Sequence, residues 1–257
     1  MSDTTSSLTG DRATEIWTCS LAHLREYRDK LQNLLTAAEQ ARCQRYRQQD
    51  DRDRYMGGRA LTKLAVAQFC RTPLADVSIA VQESGKPFVL LANEHLPVPG
   101  VSISHAGELV VVALGLVADI GVDVELLHHD VNIRELADVV CHPDEITDIY
   151  RPSDKTVTQR FYAYWVLKEA YLKATGDGLS ANVRSVLFSI DADDQVNLIH
   201  GLANQADAGW EFSLRQHDDQ HMMALATRTP ARNRGSARVR QAPLLHDALP
   251  LLRAYCD

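Results

Sequence analysis

Apolar residues alternate with small or polar ones at two places where the chain reads as a β-hairpin. Val101-Ser-Ile-Ser104 leads through a tight turn at His105-Ala-Gly107 into Leu109–Val117. Period-2 patterning with a glycine in the turn is the mark of paired strands. Trp210–Arg215 and His221–Thr227 repeat that arrangement. Longer Pro-free segments carry the apolar spacing of helices, from about Thr36 to Gln48, from about Asp53 to Cys70 and from about Val157 to Thr175. Short strands are expected at Val77–Val81, ahead of the Gly85-Lys86-Pro87 turn, and at Val186–Ile190.

The order helix, strand, hairpin thus occurs twice, at an offset of about 110 residues. A fixed offset of whole supersecondary units signals internal duplication, although many α+β chains alternate helix and hairpin without it. The expected fold is α+β, with two similar subdomains related by pseudo-twofold symmetry. Their joint falls near Ala118–Asp119, giving a first lobe over 1–118 and a second over 119–257. Residues 1–11 read as a frayed polar tail, without the apolar stretch of a signal peptide. An Arg-rich tail begins at about residue 228, and Pro243–Tyr255 reads as a short packing helix or a partner-binding arm.

Two short stretches carry candidate chemistry. In Ile120-Gly-Val-Asp-Val-Glu125 the acids Asp123 and Glu125 stand two apart, so a strand points both off one face and turns Val122 and Val124 into a core. In Trp165-Val-Leu-Lys-Glu-Ala-Tyr-Leu-Lys173 the pair Glu169 and Lys173 stands four apart, one above the other on a helix. Three carboxylates and two lysines, Lys168 and Lys173, suit a hard divalent cation such as Mg2+ held against a phosphate-containing substrate, since Mg2+ takes few protein oxygens and fills its other positions from water and phosphate. The bland readings are a solvated strand edge and a surface i,i+4 ion pair. The apolar company of Phe161, Trp165 and Leu172 argues for a covered face. Lys168 lies around the helix from Glu169 and is read as touching another part of the ligand. Ser104 and His105 at the hairpin turn, and Lys86 in its own turn, read either as phosphate contacts or as solvent-facing groups. His128-His129-Asp130 diverge on a loop and read as surface.

Composition narrows the classes. The net charge of −7 over 257 residues disfavours a general nucleic-acid binder and a metal-dependent nuclease. Five scattered cysteines, with no Cys-x-x-Cys pair, point to a reducing cytoplasm and away from disulfides or a zinc site. No apolar run is long enough to span a membrane. Phosphate-loop, dinucleotide and serine-hydrolase motifs are missing from the sequence.

Ile-Gly-Val-Asp-Val-Glu, followed about forty residues on by Trp-x-x-Lys-Glu-Ala-x-x-Lys-x-x-Gly-x-Gly, resembles the signature of the 4′-phosphopantetheinyl transferases. The upstream Gly-Lys-Pro and Ser-x-Ser-His are similar to the larger, surfactin-type branch, and the likeness runs from about Leu35 to Ile190. It implies transfer of the phosphopantetheine arm of coenzyme A to a serine of an apo acyl or peptidyl carrier protein, with adenosine 3′,5′-bisphosphate as the other product. It implies Mg2+ on Asp123, Glu125 and Glu169, and Lys173 on the diphosphate. Lys86, Ser104, His105 and Arg42 would bind the nucleotide end of coenzyme A, with Lys168 as a further contact. His142-Pro-Asp-Glu145 is similar to a Ser-Pro-x-Glu segment of relatives, which gives Glu145 a catalytic or metal-organising role. One departure is Glu39, where relatives carry a second basic residue; it places the 3′-phosphate contact at Arg42 in question. Glu169 is the first choice of general base, Lys155 and Arg160 are the expected basic patch for an acidic carrier, and the chain is expected to act as a monomer. The alternative is a non-catalytic relative that binds carriers without modifying them.

Overall fold

The computed structural model describes residues 13–117, 119–178, 182–202, 209–229 and 244–256. The expected tail over 1–11 and most of the Arg-rich segment lie outside the described residues. The first half runs β1 (Glu15–Ser20), α1 (Leu21–Glu26), α2 (Arg28–Gln32), α3 (Ala37–Cys43) and the long α4 (Gln49–Cys70). The hairpins β2 (Val77–Val81) with β3 (Pro87–Leu91), and β4 (Gly100–Ala106) with β5 (Leu109–Gly115), complete it. The second half runs β6 (Asp119–Leu126), α5 (Ile133–Val140), α6 (Pro143–Ile149) and α7 (Val157–Thr175). The hairpins β7 (Leu187–Ile190) with β8 (Val196–His200), and β9 (Trp210–Gln216) with β10 (His221–Arg228), follow. β11 (Leu244–Asp247) and α8 (Leu249–Cys256) come last.

The α+β class is as the sequence suggests, and the two halves share one wiring. Strands run in the order β1-β5-β4 in one sheet and β6-β10-β9 in the other. Inner-face residues of both sheets, Ile16, Val111 and Ala113 against Ile120, Val122, Val124, Met223 and Leu225, form a central apolar seam. α4 packs with the outer face of the first sheet (Trp17, Val110, Val112, Leu114), and α7 with that of the second (Met222, Ala224, Phe212).

The last elements depart from the expected partition. β11 adds to the first sheet in parallel with β1, and Ala248, Leu252 and Cys256 are buried in the core around α4. A second lobe running from 119 to 257 therefore does not describe the chain after β10. The physical reason is that the backbone of β11 pairs the otherwise open edge of β1, while Leu252 and Cys256 cover apolar surface beside α4.

Local chemistry sets the ends of the site-bearing helix. Thr156 and Gln159 close a reciprocal cap at the start of α7. Gly176, at φ +81°, ends it in the left-handed region that glycine enters without strain. α3 begins with the same device, Thr36 with Glu39.

A buried carboxylate holds the first-half helices together. Asp53 on α4 is 1 % exposed and accepts hydrogen bonds from Arg25 Nε (3.1 Å), Arg28 Nε (3.0 Å) and Nη2 (2.7 Å), and Gln49 Nε2 (2.9 Å). Burial alone would raise its pKa, but bonds from Arg28, Gln49 and Arg25 outweigh burial and hold it below the ordinary aspartate value. A depressed folded-state pKa contributes stability above the unfolded value and loses it as pH falls through the folded one. Asp53→Asn should cost about 2 kcal/mol at neutral pH and flatten the acid limb of stability against pH. Denaturant melts across a pH series check this; an unchanged acid limb contradicts it.

Candidate active site

The site is built where β6 passes beneath α7. Residues 121, 123 and 125 alternate with the core-facing Ile120, Val122 and Val124, as the strand period requires. Gly121 is what lets the helix down onto this face: a Cβ there would stand 2.0 Å from the carbonyl oxygen of Ala170 and 2.5 Å from the amide nitrogen of Ala174. Helix backbone thus rests directly on strand backbone. Glu169 and Lys173, which flank that contact on α7, are brought over Asp123.

Asp123 is 3 % exposed, and its Oδ1 accepts from Lys173 Nζ at 2.6 Å and from Ser104 Oγ at 2.8 Å. Its buried Oδ2 has no hydrogen-bond partner among the described residues. Glu125 Oε1 accepts from the indole of Trp165 at 3.0 Å. Burial first, then the neighbouring Asp123 charge, pushes the Glu125 pKa up, while Trp165 and Lys173 oppose the rise. Glu169 is pushed up by burial and then by Asp123, with Lys173 opposing and Glu125 adding to it. The three acids therefore share one neighbourhood, in which Asp123 disfavours ionisation of both glutamates, Glu125 disfavours that of Glu169, and Lys173 compensates.

That surplus of hard, oxygen-bearing charge, with an unpartnered buried oxygen, fits a divalent cation in kind and in charge. Among the described residues no group of three or more His, Cys, Asp and Glu stands assembled as a metal cluster. In this arrangement Lys173 is bonded to Asp123 and Trp165 to Glu125.

Other expected site residues take varied places. His105 lies within β4, opposite Val110, and the turn itself is Gly107-Glu108. The residue is exposed, yet the atoms packed against its ring, then Lys173 and Arg54, lower its pKa. Arg54 also anchors that turn, donating to the Gly107 carbonyl at 2.9 Å. Arg42 is exposed, its guanidinium 5.6 Å from the Tyr55 ring centroid. Glu39 turns inward, bonded to Lys63 at 3.0 Å and beside Arg59 at 3.5 Å, so its charge is spent away from Arg42. Lys86 donates to the Ala174 carbonyl at the end of α7, and burial, the largest influence, lowers its pKa.

Two expectations are overturned. Lys168 is fully buried and forms an ion pair with Glu145 at 2.9 Å, donating also to the carbonyls of Val183 (3.0 Å) and Val186. Glu145 uses its remaining capacity on the backbone amides of His142 (2.8 Å) and Phe188 (2.9 Å). Neither touches the cleft. They tie α6, α7 and β7 together, because a buried charge must be paired. Lys168→Met should destabilise the fold by about 3–5 kcal/mol while the folded fraction keeps its turnover; a thermal melt with an active-site titration checks both. Of the residues expected for a basic patch, Arg160 is paired with Asp148 and Lys155 with Asp194. His128, His129 and Asp130 are exposed.

Residues 119–226 match the model of the 4′-phosphopantetheinyl transferase superfamily, and residues 17–115 match that of the 4′-phosphopantetheinyl transferase N-terminal region. The chain belongs to the 4′-phosphopantetheinyl transferase superfamily and is an enzyme of that class. A phosphopantetheinyl transferase of Thraustochytrium sp. is 29 % identical over 231 residues, covering 83 % of this chain and 78 % of the relative. The 4′-phosphopantetheinyl transferase Sfp of Bacillus subtilis (strain 168) is 25 % identical, covering 67 % and 74 %. The solved holo-[acyl-carrier-protein] synthase of Neisseria meningitidis aligns at 20 % identity and a TM-score of 0.36, over 44 % of this chain and 99 % of that one. Among the described residues no helix is long and apolar enough to cross a membrane.

Proposed function

We propose that the protein moves the 4′-phosphopantetheine arm of coenzyme A onto a serine of an apo acyl or peptidyl carrier protein and releases adenosine 3′,5′-bisphosphate. The observation that carries this reading is Lys173 against Asp123 across α7 and β6, with Glu125 and Glu169 in the same desolvated neighbourhood. Asp123, Glu125 and Glu169 would hold Mg2+, which when bound neutralises charge on the diphosphate.

The remaining work falls to the chain. Lys173 offers its ammonium to a phosphate oxygen, one helical turn from Glu169. Arg42, exposed beside Tyr55, and His105, exposed and within the electrostatic reach of Lys173, would contact the nucleotide end. Lys86 joins them by leaving the Ala174 carbonyl. Glu169 accepts the proton of the incoming serine hydroxyl. The serine oxygen bonds to the β-phosphorus as the bond from that phosphorus to the bridging oxygen breaks. The electron pair leaves with adenosine 3′,5′-bisphosphate. The protein is proposed to act as a monomer.

The test is the mass of an apo carrier protein incubated with the enzyme, coenzyme A and Mg2+. The expected gain is one phosphopantetheine arm, absent when the carrier serine is replaced by alanine or when EDTA is added. No gain on any of a panel of fatty-acid, polyketide and peptide carriers would leave a carrier-binding protein without transferase chemistry.

A further inference from the structure

Ser102 and Ser104 stand two apart on β4, next to β6 of the other sheet, and no backbone ladder joins these two strands. The gap is stitched by side chains. The Val122 amide donates to Ser102 Oγ at 3.0 Å and the Val124 amide to Ser104 Oγ at 3.3 Å. Both serines are buried, at 4 % and 6 % exposure. As stitches across the seam they are near equivalents.

In the site they are not. Ser104 alone donates its hydroxyl hydrogen to Asp123 Oδ1, at 2.8 Å, and it also accepts from Lys173 Nζ at 2.8 Å. A hydroxyl has one hydrogen and two lone pairs. Ser104 spends the hydrogen on Asp123 and the lone pairs on Val124 and Lys173, so nothing remains for a nucleotide. With Ser104 and Lys173 both on Oδ1, the rotation of the Asp123 carboxylate is fixed. The buried and unpartnered Oδ2 is the oxygen left over.

We propose that Ser104 is a positioning residue for Asp123, setting Oδ2 as the oxygen presented to a divalent cation. This replaces the nucleotide contact expected from the family resemblance, and it rests on the reading of Asp123 as a cation ligand. The paired serine supplies the internal control. Ser102→Ala removes the same kind of seam bond without touching the carboxylate.

The experiment is Mn2+ titration of the coenzyme A-free protein by water-proton relaxation, on wild type, Ser102→Ala, Ser104→Ala and Asp123→Asn. Thermal melts and coenzyme A affinity in EDTA are measured alongside. Ser102→Ala and Ser104→Ala should lose similar thermal stability. Only Ser104→Ala should weaken Mn2+ binding, by about tenfold, the scale of losing a hydrogen bond to a charged group, with coenzyme A affinity in EDTA unchanged. Ser104→Cys, close in volume but a weak donor, makes the same comparison if the alanine variant does not fold. Equal Mn2+ affinities in the two serine variants, with Asp123→Asn still impaired, overturn the positioning role and leave the cation site standing. A loss confined to coenzyme A affinity overturns it in favour of a nucleotide contact. Wild-type Mn2+ affinity in Asp123→Asn overturns the inference together with the reading beneath it.

Discussion

Gly121→Ala is expected to cost the fold about 3 kcal/mol or more, above the usual range for an added methylene in a packed core. The obstruction is backbone on the opposing side, not a side chain that can rotate away. The new Cβ would meet the Ala170 carbonyl oxygen at 2.0 Å and the Ala174 amide nitrogen at 2.5 Å. Relief requires α7 to lift from β6. That separation would draw Glu169 and Lys173 off Asp123, and misplacement of about 1 Å at a reacting centre can cost on the order of a hundredfold in rate. Denaturant melts and transfer assays should therefore fail together. A variant with wild-type stability and wild-type activity would show that the helix does not bear on the strand at this point. A stable variant without activity would show that the contact serves orientation alone.

Glu169→Gln should lose transfer by about 10²–10⁴-fold in kcat, the range of general acid–base catalysis, without unfolding. Its ionised form is disfavoured by burial, by Asp123 and by Glu125, so a neutral amide relieves repulsion and should leave stability unchanged or slightly raised. Activity and stability moving in opposite directions is the signature of a residue kept for chemistry at a cost to the fold. Single-turnover transfer of the arm, read by the mass of the carrier, checks the rate, and a thermal melt checks the fold. Near-normal turnover with the divalent cation still bound would remove Glu169 as the base.

The carboxylate pair and the acid–base pair were legible because each is written locally. Two acids two apart in a Val-rich strand, and an acid and a lysine one helical turn apart, need only strand and helix periodicity to be placed on a face. α7 runs over the expected Val157–Thr175 because its cap residues sit in the sequence beside it. What sequence could not convey is which polar group answers which. Lys168 and Glu145 lie 23 positions apart and pair only because α6 and β7 fold against the inner side of α7. Lys168 looked like a ligand contact because its neighbour Glu169 faces the site, while a 100° turn of the helix puts it in the core. Gly121 had a readable signal, since a glycine inside a strand marks a close backbone approach. The bonds of Trp165 to Glu125 and of Ser104 to Asp123 had none, because those partners are chosen by the packing of β4, β6 and α7. The partition failed at its end for a similar reason: the open edge of β1, which receives β11, is a property of the assembled sheet.

The convergence of Asp123, Glu125 and Glu169 on one cation is tested most directly by the anomalous signal of Mn2+ in crystals grown with coenzyme A. A single peak is predicted among the three carboxylates, at about 2.0–2.3 Å from an oxygen of each, with Lys173 moved from Asp123 to a phosphate oxygen. A peak elsewhere, with Lys173 still bonded to Asp123 and Glu169 turned away from the ion, would contradict the account.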